Sequence, residues 1–122
     1  MCVFAAELEI VVVAGSPKSW EGAKAHCEHL GGHLMEVRTQ EQYDDAVRIE
    51  AEIDTRFWLG GCDVDEEGSF VWASDGERVD SEFWADGEPN NDDGEEDCIE
   101  MLAIGFNDNS CSAGRPFVCV IG

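Results

Sequence analysis

Basic side chains are scarce: seven Lys and Arg stand against 28 Asp and Glu in 122 residues, a net charge of −21. So negative a chain is repelled by phosphate backbones and by anionic membrane surfaces, which excludes both as partners. The deficit is also local. Between Arg78 and Arg115 there is no Lys or Arg, while eleven acids fall there. Charge concentrated on one third of a chain points to a cation-binding face. No Cys-x-x-Cys pair or other zinc-ligand spacing occurs, although there are six cysteines. Six in so short a chain imply an oxidising compartment and a disulfide framework, with about fifteen pairings open. No apolar run is long enough to span a membrane, which argues against insertion. Met1 to Ala6 carries no basic start, and Glu7 and Glu9 interrupt the apolar run, so no secretion leader is legible. The expectation is a secreted, extracellular chain read in its mature form.

What is present argues for a folded core. Hydrophobic residues make up 43% and there are four Trp, enough for one domain over residues 1–122 with help from cross-links. Leu8 to Ala14 reads as a buried strand ended by Gly15-Ser16-Pro17. Ser19 caps a helix to about Leu30, with Trp20, Ala23, Cys27 and Leu30 on one stripe and Gly31-Gly32 as its stop. His26, His29 and His33 form a weak zinc alternative against the plainer reading of solvated histidines. Leu34 to Val37 is a short strand. Thr39-Gln40-Glu41-Gln42 has capping-box form and opens a second helix to Ile53, with Ala46, Ile49 and Ile53 inward. Later strands are read at Phe57 to Gly61, Phe70 to Ala73, Phe83-Trp84, Ile99 to Ile104 and Phe117 to Ile121. Helices early and irregular strands late give an α+β fold. Residues 74–97 have little apolar periodicity, and a loop that long in a small domain is usually functional.

The centre of that loop is Glu88-Pro89-Asn90-Asn91-Asp92-Asp93-Gly94-Glu95-Glu96-Asp97-Cys98, with six carboxylates and two carboxamides in the ten residues before the cysteine. Packed like charges raise one another's pKa and repel unless a cation neutralises them. Oxygen donors, some charged and some neutral, suit Ca²⁺, which takes six to eight of them. A solvated acidic loop is the plain alternative. Asn107-Asp108, bracketed by Cys98 and Cys111, shifts the balance toward calcium. An EF-hand at Asp63-Val64-Asp65-Glu66-Glu67-Gly68 is rejected because its twelfth position is Ser74 and not Glu.

Together these segments resemble the C-type lectin domain over nearly the whole chain. The matching landmarks are Trp20-Glu21-Gly22-Ala23 with Cys27, Gly31-Gly32-His33-Leu34, Phe57-Trp58-Leu59-Gly60, Phe70-Val71-Trp72, Glu88-Pro89-Asn90, Glu96-Asp97-Cys98, Phe106-Asn107-Asp108, Cys111 and Pro116-Phe117-Val118-Cys119. The resemblance implies two helices with small antiparallel sheets, long calcium-binding loops, and disulfides Cys27–Cys119 and Cys98–Cys111. Cys2 and Cys62 are left over, and Cys2 is read as free or as forming an intermolecular bond that makes a homodimer. The resemblance also implies a principal calcium site at Glu88, Asn90, Glu96, Asn107 and Asp108, with an auxiliary site at Asp63, Glu67, Asn91, Glu96 and Asp97. In the family Pro89 is a cis-proline that aims Glu88 and Asn90 at one ion. Phe106 departs from the family's usual Trp.

Glu88-Pro89-Asn90 is the family's mannose-type order. It implies Ca²⁺-dependent binding of glycans ending in mannose, N-acetylglucosamine, glucose or fucose through vicinal equatorial hydroxyls. Each of Glu88, Asn90, Glu96 and Asn107 would give one oxygen to the ion and its other polar atom to a sugar hydroxyl. Asp92 and Asn109 would flank the sugar, and Trp84 reads as core. Two other function classes are weighed. Glu95 and Glu96 as a glycosidase pair are set aside, since neighbouring acids do not flank a glycosidic bond; no enzyme is expected. Recognition of a protein, mineral or ice surface by the same fold stands as the alternative.

Overall fold

A computed structural model describes residues 9–63, 69–79, 81–85 and 98–121. Its elements in chain order are β1 (Glu9–Lys18), α1 (Trp20–His29), β2 (Gly32–Leu34), α2 (Gln40–Ile53), β3 (Phe57–Cys62), β4 (Val71–Trp72), a 3₁₀ turn (Ser81–Phe83), β5 (Cys98–Leu102), β6 (Gly105–Asn109) and β7 (Arg115–Ile121).

The helices begin where side chains satisfy their first amides. Ser19 Oγ accepts from the Gly22 amide at 3.2 Å. Thr39 Oγ1 accepts from Gln42 N at 3.1 Å, and Gln42 Oε1 accepts from Thr39 N at 3.2 Å, which completes the capping box. Asp54 ends α2 in the left-handed conformation, φ 56°. Leu30, placed by periodicity on the buried stripe of α1, instead caps its C-terminus and is exposed. One residue past the last turn, it no longer follows the helical phase.

The strands run in the order β1-β7-β3-β5-β6, with β2 also paired to β7 and β4 to β3. Pairing is antiparallel except for the single step Trp58↔Phe117 between β3 and β7. Side chains alternate across a strand, and the alternation sorts the core into two layers. One holds Phe57, Leu59, Ile99, Met101, Phe106 and Val118 under Ala46 and Ile49 of α2. The other holds Trp58, Cys98, Phe117 and Cys119 under Trp20, Ala23 and Cys27 of α1. Trp20 Nε1 donates to the Leu59 carbonyl at 2.8 Å, and Trp58 Nε1 to that of Lys18 at 3.0 Å. Cys27–Cys119 ties α1 to β7 and Cys98–Cys111 closes the C-terminal hairpin. Cys62 is buried at the register position of Cys98; Cys2 lies outside the described residues.

Four strand readings need correction. β1 continues past Gly15-Ser16-Pro17 to Lys18, with a register shift after Val13, and is mostly exposed. Among the described residues it is an edge strand paired on one side only, so burial on both faces is not required. β2 lies two residues earlier than expected, although Met35 and Val37 are still buried. Ile99 to Ile104 is not one strand but β5 and the turn into β6. Phe83-Trp84 is a 3₁₀ end and an isolated bridge, not a strand.

Candidate functional site

Among the described strands, β6 stands at the end of the sheet order. Phe106 is fully buried and meets Tyr43, Trp72, Phe83 and Trp84 at ring-centroid distances of 5.8–6.4 Å. Trp84 is half-buried and closes the layer against Phe70 and Phe106. Residues 81–85 run beside β6: Trp84 bridges Phe106, and the Ala85 amide donates to the Phe106 carbonyl at 3.0 Å. That approach requires glycine at 105. Its φ is +132°, and a Cβ there would stand 2.8 Å from the Phe83 carbonyl oxygen and 2.9 Å from Ala85 N. Cys98 pairs with Asn109, and its disulfide joins Cys111. The acidic stretch therefore departs at Ala85 and returns at Cys98 along the same strand, next to Asn107 and Asp108.

Asn107 and Asp108 point to opposite faces of β6. Asp108, at 0% exposure, lies on the α2 side beside Phe106. Asn107 lies on the other face, where Glu100 is its register partner. Glu100 has 0% exposure, and burial of a carboxylate costs heavily unless it is paired and hydrogen-bonded. Four donors supply that. Oε2 accepts from Asn107 Nδ2 at 2.7 Å, Arg56 Nη1 at 3.0 Å and Asn109 Nδ2 at 3.1 Å, and Oε1 accepts from Arg115 Nε at 3.1 Å. Asn109 Oδ1 also accepts from Ser110 N at 2.7 Å, so both ends of that side chain are engaged at the hairpin.

Among the sequence-derived candidates, Asn107, Asp108 and Asp63 lie within the described residues; Glu88, Asn90, Asn91, Glu96, Asp97 and Glu67 lie outside them, as do Pro89 and Asp92. Asp63 is 2% exposed and follows Cys62, the register partner of Cys98. Among the described residues no group of three or more His, Cys, Asp or Glu stands close enough together to hold a metal. His26 packs edge-on against Phe117 at 5.2 Å, and His33 Nδ1 is 2.8 Å from the Leu34 carbonyl, so these histidines have separate surroundings. Sequence reasoning missed Glu100 with Arg56 and Arg115. The available signal was an acid between Ile99 and Met101, in phase with Asn107 and Asn109 across the hairpin.

The described donors suit a hard cation. A carboxylate only accepts, so Asn107 must turn its NH₂ to Glu100, which leaves its Oδ1 on the other branch of the amide as a neutral oxygen ligand. Asp108, the next residue, carries a charged carboxylate on the opposite face of the strand, and neutral and charged oxygens together are the donor types Ca²⁺ takes.

The family model described as Lectin C-type domain matches residues 16–121. The chain belongs to the C-type lectin domain family. The C-type lectin domain family 4 member M of Nomascus concolor is 32% identical over 111 residues, which are 88% of this chain and 27% of that protein. The chain thus spans about a quarter of the length of that relative. Among solved structures, the C-type carbohydrate-recognition domain of cow CD23, determined in the presence of GlcNAc2Man3 oligosaccharide, is 27% identical with a TM-score of 0.80, covering 97% of this chain and 90% of that one. A calcium-independent type II antifreeze protein is 25% identical with a TM-score of 0.78, covering 97% and 88%. The C-type lectin fold, with two helices, a stapled sheet and two disulfides, is therefore the fold of this chain.

Proposed function

We propose that residues 1–122 form one extracellular carbohydrate-recognition domain that binds mannose-type sugars through Ca²⁺. Glu88, Asn90, Glu96, Asn107 and Asp108 are the ligands of the principal ion, and Asp63, Glu67, Asn91, Glu96 and Asp97 those of an auxiliary one. Held by these residues, calcium would supply coordination positions for two vicinal sugar hydroxyls. The observation that carries this reading is the bracketing of the acidic stretch by β6: Ala85 sits against Phe106 and Cys98 against Asn109, on either side of Asn107 and Asp108. Glu88-Pro89-Asn90 supports mannose-type selectivity, since its acid and amide set the acceptor and donor order seen by the sugar. The presence of a mannose-containing oligosaccharide with the CD23 domain supports the same class. The domain is read as a binding module without catalysis, and a single shallow site gains avidity from multivalency, with Cys2 as one route to a dimer.

The test is retention on immobilised mannose in millimolar calcium. Elution by a chelator or by free mannose, and not by free galactose, is the expected result. Flow-through by a protein that binds calcium would remove the sugar reading. The second reading, recognition of a protein, mineral or ice surface, is favoured by the likeness to the calcium-independent antifreeze protein; it predicts binding that a chelator does not disturb.

A further inference from the structure

We propose that Glu100 is a positioning residue that fixes which end of the Asn107 carboxamide meets the ion, a role that rests on the calcium reading above. Asn107 has two nearly isosteric orientations, related by exchange of Oδ1 and Nδ2. Only one offers an oxygen to a cation; the other turns an NH₂ toward it and is repelled. Glu100 removes the choice. Its carboxylate oxygens already accept from four donors, so an inverted Asn107 would set Oδ1 against Oε2 at the present 2.7 Å separation.

The carboxylate is itself immobile. It is buried at 0% exposure on the sheet, and two guanidinium groups approach it, Arg56 from the strand start before β3 and Arg115 from β7. Arg56 and Arg115 balance its charge in place. Asn109, two residues along β6, donates to the same Oε2 and fixes the adjoining amide by the same rule. Second-layer partners of this kind orient metal ligands, and their loss typically lowers metal affinity about 10–100-fold.

Glu100→Gln keeps the shape but introduces an NH₂, which admits the inverted Asn107. The measurements are calorimetric titration with calcium alone and, on chelator-treated protein, the NMR signals of the Asn107 side-chain NH₂. In the wild type these two hydrogens are expected to resonate well apart and to exchange slowly. Averaged, fast-exchanging signals there would overturn the proposal without any variant. Glu100→Gln is expected to weaken calcium binding about tenfold or more. Arg56→Gln, which removes a donor from the same carboxylate and leaves the Asn107 bond, is expected to weaken calcium binding less than Glu100→Gln does. An equal loss in both variants would show a merely structural role.

The decisive variant adds Asn107→Asp to Glu100→Gln. A carboxylate offers oxygen from either end, so inversion no longer matters, and calcium affinity is expected to return to within about threefold of the wild type. No recovery in a folded double variant overturns the proposal. A wild type that binds no calcium overturns the calcium reading and this role with it. That outcome is distinct from failure of the role alone, where wild type and Glu100→Gln bind calcium equally well.

Discussion

Arg38 Nη2 donates to Asp75 Oδ1 at 3.0 Å while the same nitrogen holds Glu36 Oε1 at 2.6 Å. The guanidinium also stands 5.9 Å from the centroid of Trp72. One side chain thereby joins the segment after β2 to the turn after β4. The Arg38 bond, with help from the Glu77 amide, holds the Asp75 carboxyl below the ordinary carboxylate range. Because that pKa is depressed by folding, its contribution to stability is present above the unfolded value and fades as pH falls through the folded one. Carboxyl ¹³C titration by NMR should give Asp75 a low midpoint that Arg38→Met returns to the usual range. An unchanged midpoint in that variant would remove the coupling.

Gly105→Ala is expected to destabilise the domain by about 2–3 kcal/mol. It sets a side chain in a backbone region that favours glycine and drives it against the backbone of residues 83 and 85. Since that contact seats the start of the acidic stretch, calcium affinity should fall along with the melting temperature. Calorimetry with and without the ion measures both. A variant that melts like the wild type would contradict the close approach.

Phe106→Ala should cost about 3–5 kcal/mol, the usual range for emptying a fully buried aromatic position. Tyr43, Phe83 and Trp84 all lose a ring partner. Urea denaturation monitored by Trp fluorescence reads the loss, and a cost under about 1 kcal/mol would deny Phe106 its place at the centre of that layer.

Removing Cys27–Cys119 by paired Ala substitution should cost on the order of 4 kcal/mol in the chain-entropy view, because the bond spans 92 positions. Cys98–Cys111 spans 13 and should cost less globally. The two double variants, compared by chemical denaturation, should rank in that order.

Calcium at a hundredfold excess over its dissociation constant should stabilise the fold by about 2.7 kcal/mol, a melting increase of roughly 10 °C for a domain of this size. Protons compete for the same carboxylates, so retention on mannose should weaken between pH 7.5 and pH 5. Retention that stays constant across that interval would contradict carboxylate ligation.

Local chemistry explains which parts of this architecture are legible in the chain. Ser19 and the Thr39–Gln42 pair announce both helices because capping depends on residues within one turn. Cys27 is readable as a structural half-cystine from its place on the α1 stripe. β6 is hidden because its turn, Ala103-Ile104, lacks the usual Asn-Gly type of signal, and Ile104 reads as strand although it is 72% exposed. The exposure of β1 follows from its place at the end of the described strand order, which local sequence does not carry. Glu100 is harder still. Its donors come from residues 56, 107, 109 and 115, and only the register of β3, β5, β6 and β7 brings them together. Acid-rich composition exposes the candidate calcium region at once, whereas the carboxylate that orders Asn107 lies outside that cluster.

Glu9 and Ile121 are register partners, at the opposite border of the sheet from β6. A domain whose incoming and outgoing strands run side by side can be spliced into the surface loop of a host protein with little gap to bridge, or have its ends joined and be reopened elsewhere. In an insertion through β1 and β7 the β6 border would face away from the splice, so this scaffold can be displayed in arrays without its host covering the region around Asn107.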